Sequence, residues 1–204
     1  MELLDYTRAH SLLAKYGIRS VKSEYVKSAK DAVTFSGGKP IVLKAMTDKA
    51  LHKTKSGLIA LNLSSEKEIT DAFAALSKRA ERFKPYRVLA QRMAENGLEI
   101  IIGGKTDQQF GKMILVGLGG IYVETFKDVA TRVCPITKHD AESMLRQLKS
   151  AKIIAPDQKS KDMITDLILK TSRLFYDSKL TELDLNPIIL HDGTYDAVDL
   201  RLIQ

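Results

Sequence analysis

Between Gly38 and Gly57 the sequence reads GKPIVLKAMTDKALHKTKSG, and no other stretch limits the fold so much. Its apolar part, Pro40 to Ala45, is short, rich in Ile, Val and Leu, and bounded by Gly-Gly-Lys-Pro and Thr-Asp-Lys, which reads as a buried strand. A second apolar run begins at Leu58 and ends at Leu63, so the polar residues between form a loop joining two neighbouring strands. Lys44 falls at or near the end of the first strand, with His52 eight residues on, followed by Lys53 and Lys55. A Lys ammonium is a compact charge with three donors, suited to a polyphosphate. A Lys at a strand end is also commonly a solvated cap, and a His in a Lys-rich turn is commonly surface. On these residues alone both readings stand.

At 204 residues and 44% hydrophobic composition the chain can bury a real core, and one domain of two lobes fits better than two independent domains. No segment has the apolar length of a membrane span, and MELLDYTRAH carries charges where a signal peptide needs an apolar stretch. A soluble cytoplasmic protein with no membrane partner is expected. The single cysteine, Cys134, excludes an intrachain disulfide and a thiolate metal site; between Val133 and Pro135 it reads as a packed thiol. Lys and Arg number 32 against 25 Asp and Glu, a net +7. These charges are dispersed and lack interleaved aromatics for base stacking, which argues against nucleic acid and for an anionic small molecule.

The spacing predicts a helix over residues 3 to 16 stopped by Gly17, a strand from Ile18 to Tyr25, and a helix from Ser28 to Phe35. Ser65 with Glu68 forms a capping box opening a helix to about Lys84, and Arg87 to Met93 is a strand. The turn Ala94-Glu95-Asn96-Gly97 marks the lobe boundary, giving lobes 1–94, with the leading helix, and 95–204. Leu98 to Gly103, Lys112 to Gly117 and Val129 to Pro135 are further strands, two of them separated by KTDQQFG. Helices follow from Thr137 to about Lys149 and from Ser160 to Tyr176. The runs LTELDLNPIIL and TYDAVDLRLI close the chain as a hairpin around His191-Asp192-Gly193.

Two constellations carry chemistry. In GLGG, residues 117 to 120, glycines directly after an apolar strand let backbone N–H groups approach an anion, although such pairs are often only tight turns. In the closing hairpin Asp184 and Asn186 share one strand face by alternation, and Asp199 lies on the partner strand. Oxygen donors from Asn186 and Asp199 could meet one Mg²⁺, an ion that takes few protein oxygens and completes its shell with water and phosphate.

Together these stretches resemble the ATP-grasp β subunits of ADP-forming acyl-CoA synthetases, relatives of the succinyl-CoA synthetase β chain. The resemblance runs almost end to end and rests on PIVLKAMTDKALHKTKSG (40–57), QFGKMILVGLGGIYVETFKDVATRVCPI (109–136), and ELDLNPIIL with AVDLR within 182–201. It implies an α+β, ATP-grasp fold of two α/β lobes enclosing a nucleotide. Lys44 would contact the phosphates of ATP or ADP. The hinge Gln91, Arg92 and Met93 would offer backbone groups to adenine, Glu99 would take the ribose hydroxyls, and the loop at Gly119 and Gly120 would approach phosphate. Asn186 and Asp199 would hold Mg²⁺. His52 matches the family's transiently phosphorylated histidine, relaying a phosphoryl group between an α subunit, which binds CoA and forms acyl phosphate, and the nucleotide.

The expected activity is that of an acetate/acyl–CoA ligase (ADP-forming), in a hetero-oligomer. The chain departs from the family pattern after the histidine motif, with Lys55-Ser56-Gly57-Leu58 where an acidic residue and two glycines are usual, and KIIAPDQKSKD (152–162) lacks a Gly-Arg-Gly element. Two rivals therefore stand: another ATP-grasp carboxylate ligase without a phosphohistidine, and a non-catalytic nucleotide-binding regulatory subunit.

Overall fold

The computed structural model describes residues 2–47, 57–120 and 128–204, in two compact units. Residues 21–93 form the smaller; the larger combines residues 1–20 with 94–204.

In the smaller unit, β1 (Ser23–Val26), β2 (Ile41–Met46), β3 (Ile59–Leu63) and β4 (Arg87–Arg92) make an antiparallel sheet in the order β1-β4-β2-β3. Two helices cover one face, α2 (Ala29–Ser36) and α3 (Glu66–Ala80), α1 being the leading helix, Tyr6–Lys15. Ser65 and Glu68 form the expected reciprocal capping box at the start of α3, worth about 1 kcal/mol. The helix ends at Ala80, short of Lys84, and passes into a 3₁₀ turn, Glu81–Phe83. Ile41, Leu43, Ala45, Val88 and Ala90 point to the helices and pack with Phe35, Ile69, Leu76 and Ala80. By alternation Val42, Lys44, Leu89 and Gln91 lie on the other face.

The larger unit holds α1 (Tyr6–Lys15) and β5 (Leu98–Asp107), β6 (Gly111–Leu118) and β7 (Val129–Val133). It continues with α4 (Lys138–Gln147), α5 (Ala151–Ile154) and α6 (Gln158–Asp177), then β8 (Glu182–His191), β9 (Thr194–Ala197) and β10 (Leu200–Ile203). The sheet runs β10-β8-β5-β6-β7, with β9 also paired to β8. Ile100, Ile102, Ile114, Val116, Leu183, Leu185 and Leu202 face the helices and pack with Met144, Leu167 and Phe175. Among the described residues no helix is long and apolar enough to cross a membrane.

Several elements differ from the sequence expectations. The leading helix, assigned by contiguity to the first lobe, packs in the larger unit: Leu13 is fully buried in that core and the Leu4 N–H donates to the Leu202 carbonyl at 2.8 Å. That helix begins at Tyr6 with Asp5 as its cap, because Leu3 is bridged to Ile203. The strand expected from Ile18 is confined to Ser23–Val26, since Ile18 is buried in the larger unit's core and the Arg19 carbonyl accepts from Ala197 N–H. KTDQQFG is mostly strand, its turn closed by Asp107 Oδ1 accepting from the N–H groups of Gln109 and Phe110. The second run of the closing hairpin breaks at Val198-Asp199 into β9 and β10. The Asp192-Gly193 turn is present, both residues having positive φ (44° and 70°), as a tight hairpin turn of this kind requires. Cys134 is buried, and the Ser172 hydroxyl donates to its Sγ at 3.3 Å.

Candidate functional site

Lys44 is the fourth residue of β2, opposite Leu89 on β4 and Ile59 on β3, and it is 5% exposed. A Lys on this face and so covered is not a solvated cap. On the same face Gln91 is fully buried and its Nε2 donates to Ser23 Oγ at 3.1 Å. Arg92 and Met93 already use their backbone N–H groups, donating to the Lys22 and Pro40 carbonyls at 2.9 and 3.2 Å. The Arg92 guanidinium donates to the Ser36 carbonyl and stacks 5.1 Å from the Phe35 ring centroid. Its side chain is thus committed within the smaller unit. His52, with Lys53 and Lys55, lies outside the described residues.

In the larger unit the structure brings Glu99, Gly119 and Gly120 together. Gly119 donates its N–H to the Glu99 carbonyl at 2.7 Å, and a Cβ on Gly119 would lie 2.8 Å from the Glu99 carbonyl carbon. Gly120 adopts φ 68°, and a Cβ there would meet Glu99 Oε2 at 3.0 Å. Gly119 is demanded by its close approach to the Glu99 backbone, and Gly120 by its left-handed backbone.

Asn186 and Asp199 are also brought together. The Leu200–Leu185 pairing places them opposite each other, and the Asn186 N–H donates to the Asp199 carbonyl at 3.2 Å. Asp184 and Arg201, paired in the same ladder, share this face, which turns away from the helices packed on Leu183, Leu185 and Leu202. Burial pushes the Asp184 carboxyl up; Arg201 opposes this, while Asp199 and Glu182 add to it. Such a group of oxygen donors, with a carboxylate held against burial and like charge, suits a hard divalent cation, whose charge would relieve both. The motif reading paired Asn186 with Asp199 but missed Arg201, whose position in the register only the pairing of β8 with β10 discloses.

Residues 1–203 match the family model described as an ATP-grasp domain. The chain is an ATP-grasp protein of the ADP-forming acyl-CoA ligase family. It is 35% identical over 206 residues to the acetate–CoA ligase (ADP-forming) I subunit beta of Pyrococcus furiosus, covering 96% of this chain and 89% of that one. It is 37% identical over 200 residues to acetate–CoA ligase (ADP-forming) I of Archaeoglobus fulgidus; that match covers 94% of this chain but only 28% of the much longer relative.

Among solved structures it is similar to the dinucleotide forming acetyl-coenzyme A synthetase 1 of Ca. Korarchaeum cryptofilum in complex with coenzyme A, Ca-AMPCP and HgCl+. The TM-score is 0.90 at 33% identity, over 99% of this chain and 93% of that one. Another structure of the Korarchaeum protein, with coenzyme A and Mg-AMPPCP, has its phosphohistidine segment pointing towards the nucleotide binding site; its TM-score is 0.84 at 32% identity, over 98% of this chain and 92% of that one. The ATP-grasp fold and the acyl-CoA ligase family expected from the motifs are therefore the observed ones.

Proposed function

We propose that this chain is the nucleotide-handling β subunit of an ADP-forming acyl-CoA ligase, acting in the cytoplasm in a hetero-oligomer with an α subunit that binds CoA and forms acyl phosphate. The overall conversion is acyl-CoA, ADP and phosphate to acid, CoA and ATP. The observation that carries this reading is the juxtaposition of Asn186 and Asp199 on the face of the larger sheet that turns away from its packed helices. Lys44, buried on the face of the smaller sheet opposite that unit's helices, would supply a positive charge for phosphate oxygens. Glu99 would offer a carboxylate to ribose hydroxyls; the Gly119 N–H is already given to the Glu99 carbonyl, so Gly119 and Gly120 would serve by letting Glu99 pack against them rather than by cradling phosphate. Gln91 to Met93 line the adenine end; with the Arg92 and Met93 N–H groups engaged, adenine would be met there by other groups.

Asn186 and Asp199 would hold Mg²⁺, which supplies charge neutralisation on the phosphates when bound. His52 would carry the phosphoryl group. A neutral imidazole nitrogen of His52 would attack the phosphorus carried by a histidine of the α subunit, a new P–N bond forming as the donor P–N bond breaks and its electron pair returns to the donor nitrogen. A terminal oxygen of ADP then attacks, the P–N bond breaks, and neutral imidazole is restored as ATP forms. Positioning and charge neutralisation are the protein's main contribution to such transfers.

The test is labelling with ATP radioactive in the γ-phosphate. The wild-type chain should acquire acid-labile, alkali-stable label, and His52→Asn should lose it while binding Mg-ATP normally. A ligase without a phosphohistidine would leave His52→Asn fully active with the α subunit. Nucleotide binding with neither label nor turnover would identify a regulatory subunit instead.

A further inference from the structure

At the far end of β8 from Asp184 lies a second group of ligating side chains that the proposed reaction does not use. His191, the last residue of β8, is 7% exposed at its side chain and is flanked by two carboxylates. Its Nε2 lies 2.9 Å from Asp196 Oδ2, and Asp196 is held in turn by Arg19, whose Nε donates to Oδ1 at 2.8 Å and whose second nitrogen donates to Oδ2 at 3.3 Å. Arg19 also donates to Thr194 Oγ1 at 3.1 Å. On the other side of the ring, Nδ1 is buried without a hydrogen bond and lies 3.3 Å from Glu95 Oε2. One ligand atom each from Glu95, His191 and Asp192 falls within 4.8 Å of the others.

Local sequence explains how these groups meet. Leu98 pairs with Leu190, which lays Gly97 against the end of β8. A Cβ on Gly97 would sit 2.1 Å from the Leu190 carbonyl oxygen, so only glycine lets the segment come so near. Glu95, two residues earlier, is thereby brought to the hairpin. Asp192 is turned back toward it by its left-handed φ of 44°.

The chemistry of the ring selects an occupant. With Asp196 paired to Arg19 and 2.9 Å from Nε2, the tautomer that suits a metal is the one that donates Nε2–H to Asp196 and turns an Nδ1 lone pair toward Glu95. A lone pair opposed to a carboxylate is repulsive unless a cation lies between them. An imidazole nitrogen and two carboxylate oxygens are a donor set for a first-row divalent ion, whose ligand distances of about 2.0–2.2 Å draw such atoms to roughly 3–4 Å from one another. The carboxylate behind the imidazole is the arrangement that commonly orients a metal-bound histidine. We infer that Glu95, His191 and Asp192 form a structural site for a Zn²⁺-like divalent cation, clamping the segment that follows Met93 to the closing hairpin.

The chelator-treated full chain, titrated calorimetrically with ZnCl₂, should show a site that Glu95→Gln and Asp192→Asn each weaken by at least about tenfold. Both substitutions are at exposed positions, so the fold is kept; His191→Gln should abolish the site. Asp199→Asn, outside this cluster, should leave it intact, and ZnCl₂ should raise the melting temperature of wild type but not of Asp192→Asn. Equal Zn²⁺ affinity in wild type, Glu95→Gln and Asp192→Asn overturns the inference. So does a ¹⁵N spectrum in which His191 carries protons on both ring nitrogens and is unmoved by ZnCl₂, since an imidazolium between two carboxylates would then take the place of the ion.

Discussion

Asn186 and Asp199 are joined through their backbones, N–H to carbonyl at 3.2 Å, at the point where the strand pairing with β8 breaks between β9 and β10. That bond fixes the spacing of the two backbones independently of any ligand. Replacing Asp199 by Asn removes the charge and preserves the shape. Mg-ADP binding should weaken by at least about tenfold, the size of one charge-assisted contact, with an unchanged circular dichroism spectrum. Unaltered affinity in calorimetry would remove Asp199 from the site.

Lys44→Met keeps most of the buried aliphatic volume of a residue that is 5% exposed and deletes only the ammonium. Nucleotide affinity should fall about ten- to a hundredfold, as expected for one charge-assisted hydrogen bond to phosphate. The melting temperature should change little. If instead the variant melts earlier and binds normally, Lys44 is a structural residue.

Asp128 is 8% exposed and accepts from the Lys149 and Ser150 N–H groups, each at 2.8 Å, and from the Ser150 hydroxyl. Burial alone would raise its carboxyl, but the Ser150 hydroxyl and the two N–H groups outweigh it and hold the carboxyl below its ordinary value. A carboxylate with a depressed folded value contributes stability above its unfolded value, and that contribution is lost as pH falls through the folded one. Asp128→Ala should therefore cost about 1–3 kcal/mol at neutral pH, read by urea unfolding. The difference from wild type should shrink in acid; a difference that stays constant with pH would show that charge is not involved.

Gly97→Ala should destabilise the chain by about 1–3 kcal/mol, because its methyl would fall 2.1 Å from a backbone oxygen that cannot swing away. Thermal unfolding checks this. A neutral outcome would mean that residues 94–97 can move off β8.

The sequence disclosed those features whose causes are local. The capping box of Ser65 and Glu68, the Asp192-Gly193 turn and the apolar runs around Lys44 depend on residues a few positions apart, and each has its structural counterpart. Asn186 and Asp199 were legible because strand alternation and a short hairpin fix their relation. The partnership of Arg19 with Asp196 had no such signal: it spans nearly the whole chain and depends on which core buries Ile18. For the same reason the leading helix, amphipathic in either setting, gave no sign of the sheet it covers. The active-site reading of His52 rests on motif alone, as that residue is outside those described.

Both ends of the larger unit's chain meet in one ladder: Glu2 and Gln204 exchange backbone hydrogen bonds at 2.8 and 2.9 Å, while residues 21–93 form a continuous excursion between its two parts. During synthesis the excursion can fold as soon as it leaves the ribosome, since every strand of its sheet is already present. Residues 1–20 must wait, because β9 and β10, to which Ser20 and Leu3 are bridged, are translated only after the whole of the smaller unit. A ribosome stalled before residue 200 should thus display a folded smaller unit beside an N-terminal segment open to protease, so the order of translation separates the maturation of the two units.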